Sequence, residues 1–520
     1  MTSRIESLIS ALERADALQF VCNGSMGLEK ESLRVSQTGG ISRSPHPKVL
    51  GSALTNPYIT TDYSEALLEF ITPPVATIPE ALNFLCDTQT FVYRQLQNES
   101  LWATSMPCIL TGDDDVPIAK YGDSNAGRMK HIYRVGLGYR YGRVMQVIAG
   151  VHFNYSFDER LWPIWQQVKG DKGDLRNFID DSYMGLLRNL QRFGWLIPYL
   201  FGASPAVCKS FFAGKESALD EFDNSTFYEP YATSLRMGDI GYQNRKEEGV
   251  GVKANYDSLE KYIASLAHAI ETPALIWEEI GVKVDDEYRQ LNANILQIEN
   301  EYYSSVRPKQ LLDGFEKPIL ALQRRGIRYV ELRSLDVNAY HPLGVDEVQL
   351  TFLKIFMLYC LLTDSPPISL CERGEIDRNL LKVAHQGRAP RLELERNGSK
   401  ISLKEWALSL LEEMEPLCDV AEDSKMCRVA LREQVEKVND PEETPSAKML
   451  AEMRENAEGF YQFANRMSAQ HRKYFSQRDL TKERDQWYRG IVEESLQQQV
   501  KIDSSDEIDF DTFLADYLAQ

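Results

Sequence analysis

Gly27-Leu28-Glu29-Lys30-Glu31-Ser32-Leu33-Arg34-Val35 is the stretch of this 520-residue chain whose reading decides the fold. As a strand it sends Glu29 and Glu31 to one face, roughly 6.5 Å apart, together with Leu33 and Val35. Two carboxylates beside apolar neighbours ionise together only at high cost unless a cation lies between them. The pattern therefore points either to divalent-metal ligation or to a raised pKa, with an exposed edge strand bearing solvated glutamates as the alternative.

Three further segments repeat the theme. Tyr63 to Thr72 reads as a strand that places Glu69 in a strongly apolar run, where an unpaired charge is costly and calls for a partner. Asp62 and Glu65 lie at its polar start, as turn or surface residues or as part of a site. Val144 to Phe157 alternates so that Gln146, His152, Asn154 and Ser156 share a face opposite Val151, Phe153, Tyr155 and Phe157. On that face His152 is either a hydrogen-bonded structural residue or a metal ligand. Ile327 to Val337 pairs Glu331 with Arg333 opposite Val330 and Leu332, which fits a surface ion pair or a metal carboxylate beside a guanidinium that clamps a phosphoryl group. Ser304 to Lys309 carries Arg307 and Lys309, a solvated loop or a contact for nucleotide phosphates. The P-loop pattern is absent, and Gly136-x-Gly138-x-x-x-Gly142 misses the dinucleotide-binding spacing, so any nucleotide site uses another architecture. Hard oxygen donors with one imidazole favour Mg²⁺ or Mn²⁺ over zinc.

Around these strands the sequence is helical. Ile5 to Leu18 and Pro79 to Gln97 have amphipathic periodicity, and from Leu403 onward Glu, Lys, Arg and Leu recur at helical spacing up to an acidic tail after Ile502. The class expected is α+β. The apolar runs Trp195 to Val207 and Phe352 to Leu362 are Pro-interrupted or short of the roughly 20 residues that span a bilayer, and read as buried helices. A formal charge of −19 and 43% hydrophobic content describe an acidic globular protein that repels phosphate backbones and anionic lipids, so neither nucleic acid nor membrane is an expected partner. The first eight residues carry charge where a signal peptide needs an unbroken apolar run, so a cytoplasmic location is expected. The eight cysteines are scattered without a CxxC pair and read as reduced, mostly buried thiols.

Seven ordered motifs carry a resemblance. They are Gly27 to Arg34; Ile59-Thr60-Thr61-Asp62 to Pro73; Tyr121-Gly122-Asp123-Ser124-Asn125; Phe193-Gly194-Trp195 to Ser204-Pro205; Pro230-Tyr231-Ala232-Thr233-Ser234-Leu235-Arg236; Leu296-Gln297-Ile298-Glu299-Asn300-Glu301; and Glu331 to Asp336. Together they resemble the proteobacterial type of glutamate-cysteine ligase, or gamma-glutamylcysteine synthetase. The resemblance covers roughly residues 20 to 360 and implies a glutamine-synthetase-like core: a curved, mainly antiparallel sheet forming a funnel, flanked by helices. It divides the chain into a ligase core over 1–375 and a mostly helical C-terminal region over 376–520 packed on it. The implied reaction joins the glutamate γ-carboxylate to the cysteine amine through a γ-glutamyl phosphate, with ATP as co-substrate.

Carried over motif by motif, Glu29, Glu31, Asp62, Glu69, His152 and Glu331 would ligate two or three Mg²⁺ ions; strand parity agrees for all but Asp62. Arg333 would stabilise the moving phosphoryl group, and Arg236 would hold the glutamate α-carboxylate. Tyr63, Tyr133, Leu137, Gln146, Tyr242 and Tyr303 would line the cysteine pocket. A monomer acting on small molecules alone is expected. With no room for a second ligase domain in this length, the dipeptide is the expected product.

Overall fold

The stretch around Glu29 and Glu31 lies within a 13-residue strand, Gly24–Ser36 (β1), buried along most of its length. Described by the computed structural model are residues 4–107, 109–214, 216–240 and 253–520; Tyr242 and Cys108 lie outside them. Strand β1 organises a seven-stranded sheet with Ile59–Thr61 (β2), Leu67–Ile71 (β3), Glu99–Leu101 (β4), Gly150–Phe157 (β5), Val306–Lys309 (β6) and Tyr329–Asp336 (β7). The order is β6-β7-β5-β1-β3-β2, every pairing is antiparallel, and β4 joins the far end of β1.

The period-2 alternation works as the sequence predicts. Leu28, Phe153 and Leu332 stand opposite one another on the back face, and all are buried. Lys30 also points back, where its ammonium donates to Gln89 Oε1 at 2.7 Å on the helix Ile78–Gln95 (α1). Asn125–Tyr141 (α2), capped by the Ser124 side chain, borders the front. Behind the sheet lie α1, Leu175–Arg192 (α3) and the short helix Leu196–Phe201. Glu347–Leu362 (α4) packs between α1 and α3, and almost every residue of it is buried, which is why its sequence is apolar all round rather than striped. Beyond it the C-terminal region is helical apart from the hairpin Glu393–Arg396 with Ser399–Ser402; it includes Leu370–Gln386 (α5) and ends in Phe510–Ala519 (α6). No helix among the described residues is long and apolar enough to cross a membrane.

Several expectations need correction. The strand expected from Val144 starts only at Gly150; Gln146 sits in a 3-10 turn, Val144–Val147, so its shared parity with His152 has no structural meaning. The strand expected from Tyr63 begins at Leu67, because residues 62–66 form the tight connection from β2, closed by the Asp62 amide donating to the Leu67 carbonyl at 3.0 Å. Arg307 and Lys309 belong to an edge strand rather than a loop. Of the two apolar runs, the second is buried helix throughout, whereas the first is helical only over Leu196–Phe201 and continues into the strand Ala206–Cys208. Cys22, Cys86, Cys208 and Cys360 are buried thiols as expected, Cys371 is exposed, and Cys418 and Cys427 form a disulfide. No CxxC spacing announces that pair; the helical turns between the two residues bring their Cα atoms to 5.4 Å.

Candidate active site

Antiparallel pairing puts directly opposite residues on one face, and the register decides which side chains meet. Glu29 stands opposite His152, Glu31 opposite Glu69, and Glu331 opposite both Asn154 and Arg307. Five segments distant in sequence thereby deliver carboxylates, an imidazole and cations to the front of the sheet. They line a cavity of about 640 Å³.

At its base His152 Nδ1 lies 3.0 Å from Glu29 Oε2 and 3.5 Å from Glu331 Oε1, and Nε2 lies 3.7 Å from Glu31 Oε1. Ligand atoms of Glu29, His152 and Glu331 all fall within 4.8 Å of one another, the spacing of a metal site. Asn154 Nδ2 donates to Glu29 Oε1 at 2.8 Å, and the Gly150 amide donates to Glu31 Oε2 at 2.6 Å, so both carboxylates are aimed before any ligand arrives. Between β7 and β5 the ladder shifts: Arg333 and Ser334 together span the single His152. Such a bulge re-aims a side chain. Here Arg333 Nη1 reaches Glu331 Oε1 at 2.7 Å and approaches His152 Nδ1 at 3.5 Å.

The charges pull the carboxylates apart. Burial raises the pKa of Glu331, but Lys309, Arg333 and His152 outweigh it and hold the group well below the usual range. Burial likewise opposes ionisation of Glu29, yet the His152 hydrogen bond keeps it lowered. Glu31 is raised, first by burial and then by Asp62. Glu69 is raised well above the ordinary value by burial and by the charges of Glu29, Asp62 and Glu31. Buried polar atoms without a hydrogen-bond partner gather at the same place: Glu331 Oε2, Arg333 Nε, Asn154 Oδ1, Gln146 Nε2 and Tyr63 Oη. Crowded hard oxygen donors with unsatisfied lone pairs are the chemistry that a divalent cation satisfies, so the residues present fit such an ion.

Arg236 lies across the opening of β5. Its Nη2 donates to the Arg333 carbonyl at 2.9 Å, its Nη1 is 3.9 Å from Asp336, and it lies so close to Gly150 that a Cβ there would fall 2.1 Å from Nη2. A side chain at position 150 would push the guanidinium out of this position. Tyr63, Tyr133, Leu137, Gln146 and Tyr303 also line the cavity, and Tyr303 Oη donates to Met237 Sδ at 3.6 Å. Lys309 Nζ is 3.5 Å from Glu331 Oε2, whereas Arg307 is turned to the backbone carbonyls of Asn300, at 3.1 Å, and Tyr302. Asp62 lines the cavity too, its backbone carbonyl accepting from Tyr121 Oη at 2.9 Å and from Arg134. Of the candidates read from sequence, all lie on this one cavity except Tyr242, which lies outside the described residues, and Glu65, whose carboxylate instead accepts from the backbone amides of His46 and Lys120.

Sequence reasoning passed over Asn154 as a site residue although its parity with His152 was visible. It had no signal for Arg134 and Lys130 on α2 or for Ile502 and Tyr517 near the C-terminus, which also line the cavity.

Comparison with known proteins bears on the family and the fold. The sequence profile of the glutamate-cysteine ligase family matches residues 9–383. A glutamate-cysteine ligase of Alcanivorax borkumensis is 45% identical over 522 residues, covering 99% of both chains. One from Pseudomonas putida is 47% identical over 496 residues, 95% of this chain and 94% of that protein. The crystal structure of the Francisella tularensis glutamate-cysteine ligase in complex with AMP superposes with a TM-score of 0.89 at 36% identity, over 96% of this chain and 98% of that one. A bifunctional glutathione synthetase from Pasteurella multocida superposes with a TM-score of 0.72 at 25% identity; 91% of this chain is covered, but only 55% of that longer protein.

Proposed function

This chain belongs to the glutamate-cysteine ligase family, and from that premise we propose that it couples ATP cleavage to amide formation between the glutamate γ-carboxylate and the cysteine amine, the first step of glutathione synthesis. The observation that carries the reading is the convergence of Glu29, His152 and Glu331 within 4.8 Å of one another, with Arg333 on Glu331, in one cavity. A metal-binding cluster beside a guanidinium is what phosphoryl transfer demands. The AMP in the Francisella relative supports an adenine nucleotide as the phosphoryl donor.

Glu29, Glu31, Asp62, Glu69, His152 and Glu331 would hold two or three magnesium ions. When bound, magnesium neutralises the triphosphate and the departing ADP. Arg236 would orient glutamate by its α-carboxylate, its guanidinium being held by the Arg333 carbonyl and given room by Gly150. A γ-carboxylate oxygen then bonds to the γ-phosphorus as the bond to the ADP oxygen breaks. Arg333 would face the charge that grows on the phosphoryl oxygens, and Lys309 would meet the phosphates with Arg307. The cysteine amine, placed by Tyr63, Tyr133, Leu137, Gln146 and Tyr303, attacks the acyl carbon. Phosphate leaves and the nitrogen loses a proton.

Phosphate release with ATP, magnesium and glutamate, measured against cysteine, ammonia, polyamines and other amino acids, tests the assignment. Turnover with cysteine is expected; silence with cysteine alongside turnover with another amine would sink it.

A further inference from the structure

A second cavity, of about 500 Å³, lies behind the sheet, on the reverse of the strand that carries His152 and Asn154. Four parts of the chain enclose it: the short helix Leu18–Val21 with Cys22, the start of α1, one face of α4, and the segment 421–427 that opens the helix Ser424–Asn439. A space of that size suits a small organic molecule. Val21, Ile78, Ile355 and Leu358 give it an apolar floor. Tyr155, 1% exposed, lines it from β5, and no hydrogen bond to its hydroxyl exists among the described residues. A buried hydroxyl without a partner costs free energy that an incoming acceptor recovers.

Helix α4 carries only two charges, Glu347 in its first turn and Lys354. Both line the cavity, where residues 347, 351, 354, 355 and 358 share one helical face. Lys354 is partly buried, Glu347 and Glu422 are exposed at the rim, and none of the three forms an ion pair among the described residues. Asp423 is otherwise engaged, its carboxylate accepting from the Met426 amide at 2.8 Å. Burial pushes the Cys22 thiol up to about 11, while Lys354 pulls it down and Glu422 pushes it up; a positive and a negative charge therefore reach the same end of the cavity. Those charges select among small molecules. Acids at the rim repel a bare anion, Lys354 repels a bare amine, and the floor disfavours a wholly polar compound. A zwitterion with an apolar side chain meets all three conditions.

We propose that this cavity is a binding site for an apolar α-amino acid, its carboxylate on Lys354 and the Tyr155 hydroxyl, its ammonium on Glu347 and Glu422, and its side chain on the floor. The site shares no lining residue with the catalytic cavity and does not depend on the ATP reading.

Ligand-observed NMR titration with L-leucine, with isocaproate, which lacks the amine, and with isoamylamine, which lacks the carboxylate, tests each charge in turn. Wild-type protein should bind leucine about tenfold or more tightly than either analogue. Lys354→Met, which keeps the apolar stem, should weaken leucine by about tenfold and bind isoamylamine no more weakly than wild type does. The double variant Glu347→Gln, Glu422→Gln should likewise weaken leucine but not isocaproate. The three side chains reach solvent, so these substitutions carry little risk to folding. Arg236→Ala, which alters the catalytic cavity, should bind leucine as wild type does. Wild-type protein that binds no leucine or binds all three compounds equally would overturn the inference, as would unchanged leucine affinity in Lys354→Met or in the double variant, or a loss confined to Arg236→Ala.

Discussion

Arg333 is the residue on which the chemistry concentrates. It is the cation hydrogen-bonded to Glu331, and burial against its charge is outweighed by Glu331, Glu31 and Glu29, so its own pKa is raised and the guanidinium stays charged. A charge aimed at a developing anion acts mainly in the transition state, so Arg333→Ala should lower kcat by about 10²- to 10³-fold. Nucleotide affinity should change far less. Steady-state kinetics beside ADP titration checks this, and equal losses in both would contradict the role. Glu69 makes the opposite case. It faces Glu29, Asp62 and Glu31, and no ion pair to it exists among the described residues. Replacing it with glutamine removes repulsion in metal-free protein and one donor in loaded protein. Thermal unfolding of Glu69→Gln should therefore begin roughly 1–3 °C above wild type in EDTA, with a smaller gain on adding magnesium. An undiminished magnesium gain would argue against Glu69 as a ligand.

Elements carry the site through their ends and irregularities. The bulge that spans His152 turns Arg333 toward Glu331, and the glycine that opens β5 leaves room for Arg236. The segment bearing Arg236 is in turn latched to the last turn of α5 by His385, whose Nδ1 lies 2.9 Å from Glu229 and whose Nε2 lies 3.0 Å from Asp239. Burial disfavours the charged imidazole, but the two carboxylates that face it raise its pKa above the ordinary 6.5. A raised folded-state pKa means that the stabilisation is complete below the unfolded value and is lost as pH rises through the folded one. The gap in urea midpoint between wild type and His385→Ala should consequently be widest near pH 6 and narrow toward pH 9. A gap constant over that range would show that the latch does not depend on charge.

For the whole molecule the decisive feature is that one cavity is walled from both ends of the chain. The main core unites the sheet with α1, α3 and α4, whereas α6 belongs to a small satellite cluster with α2. Small clusters open at lower free energy than the main core. In hydrogen exchange, amides of α6 should exchange well before those of α4, and ADP with magnesium should slow α6 selectively. Equal protection of the two helices, or no response of α6 to ADP, would contradict this arrangement.

The alternation of residues around His152 and Glu331 by itself set each opposite an apolar strand face, and the same parity put Glu29 and Glu31 together on one face, because strand parity is a local property with period two. The same locality explains why α4 could be read as buried and why the C-terminal region could be read as helical. Locality also sets the limit. Gln146 shared parity with His152 yet lies in a turn, since parity is meaningful only while the strand continues. Which glutamate meets which imidazole depends on register between strands more than a hundred residues apart, and the cystine between Cys418 and Cys427 depends on how the intervening turns fold. The closing of the cavity by Tyr517 depends on long-range packing of an amphipathic helix, whose sequence states that it has an apolar face but not what that face will cover.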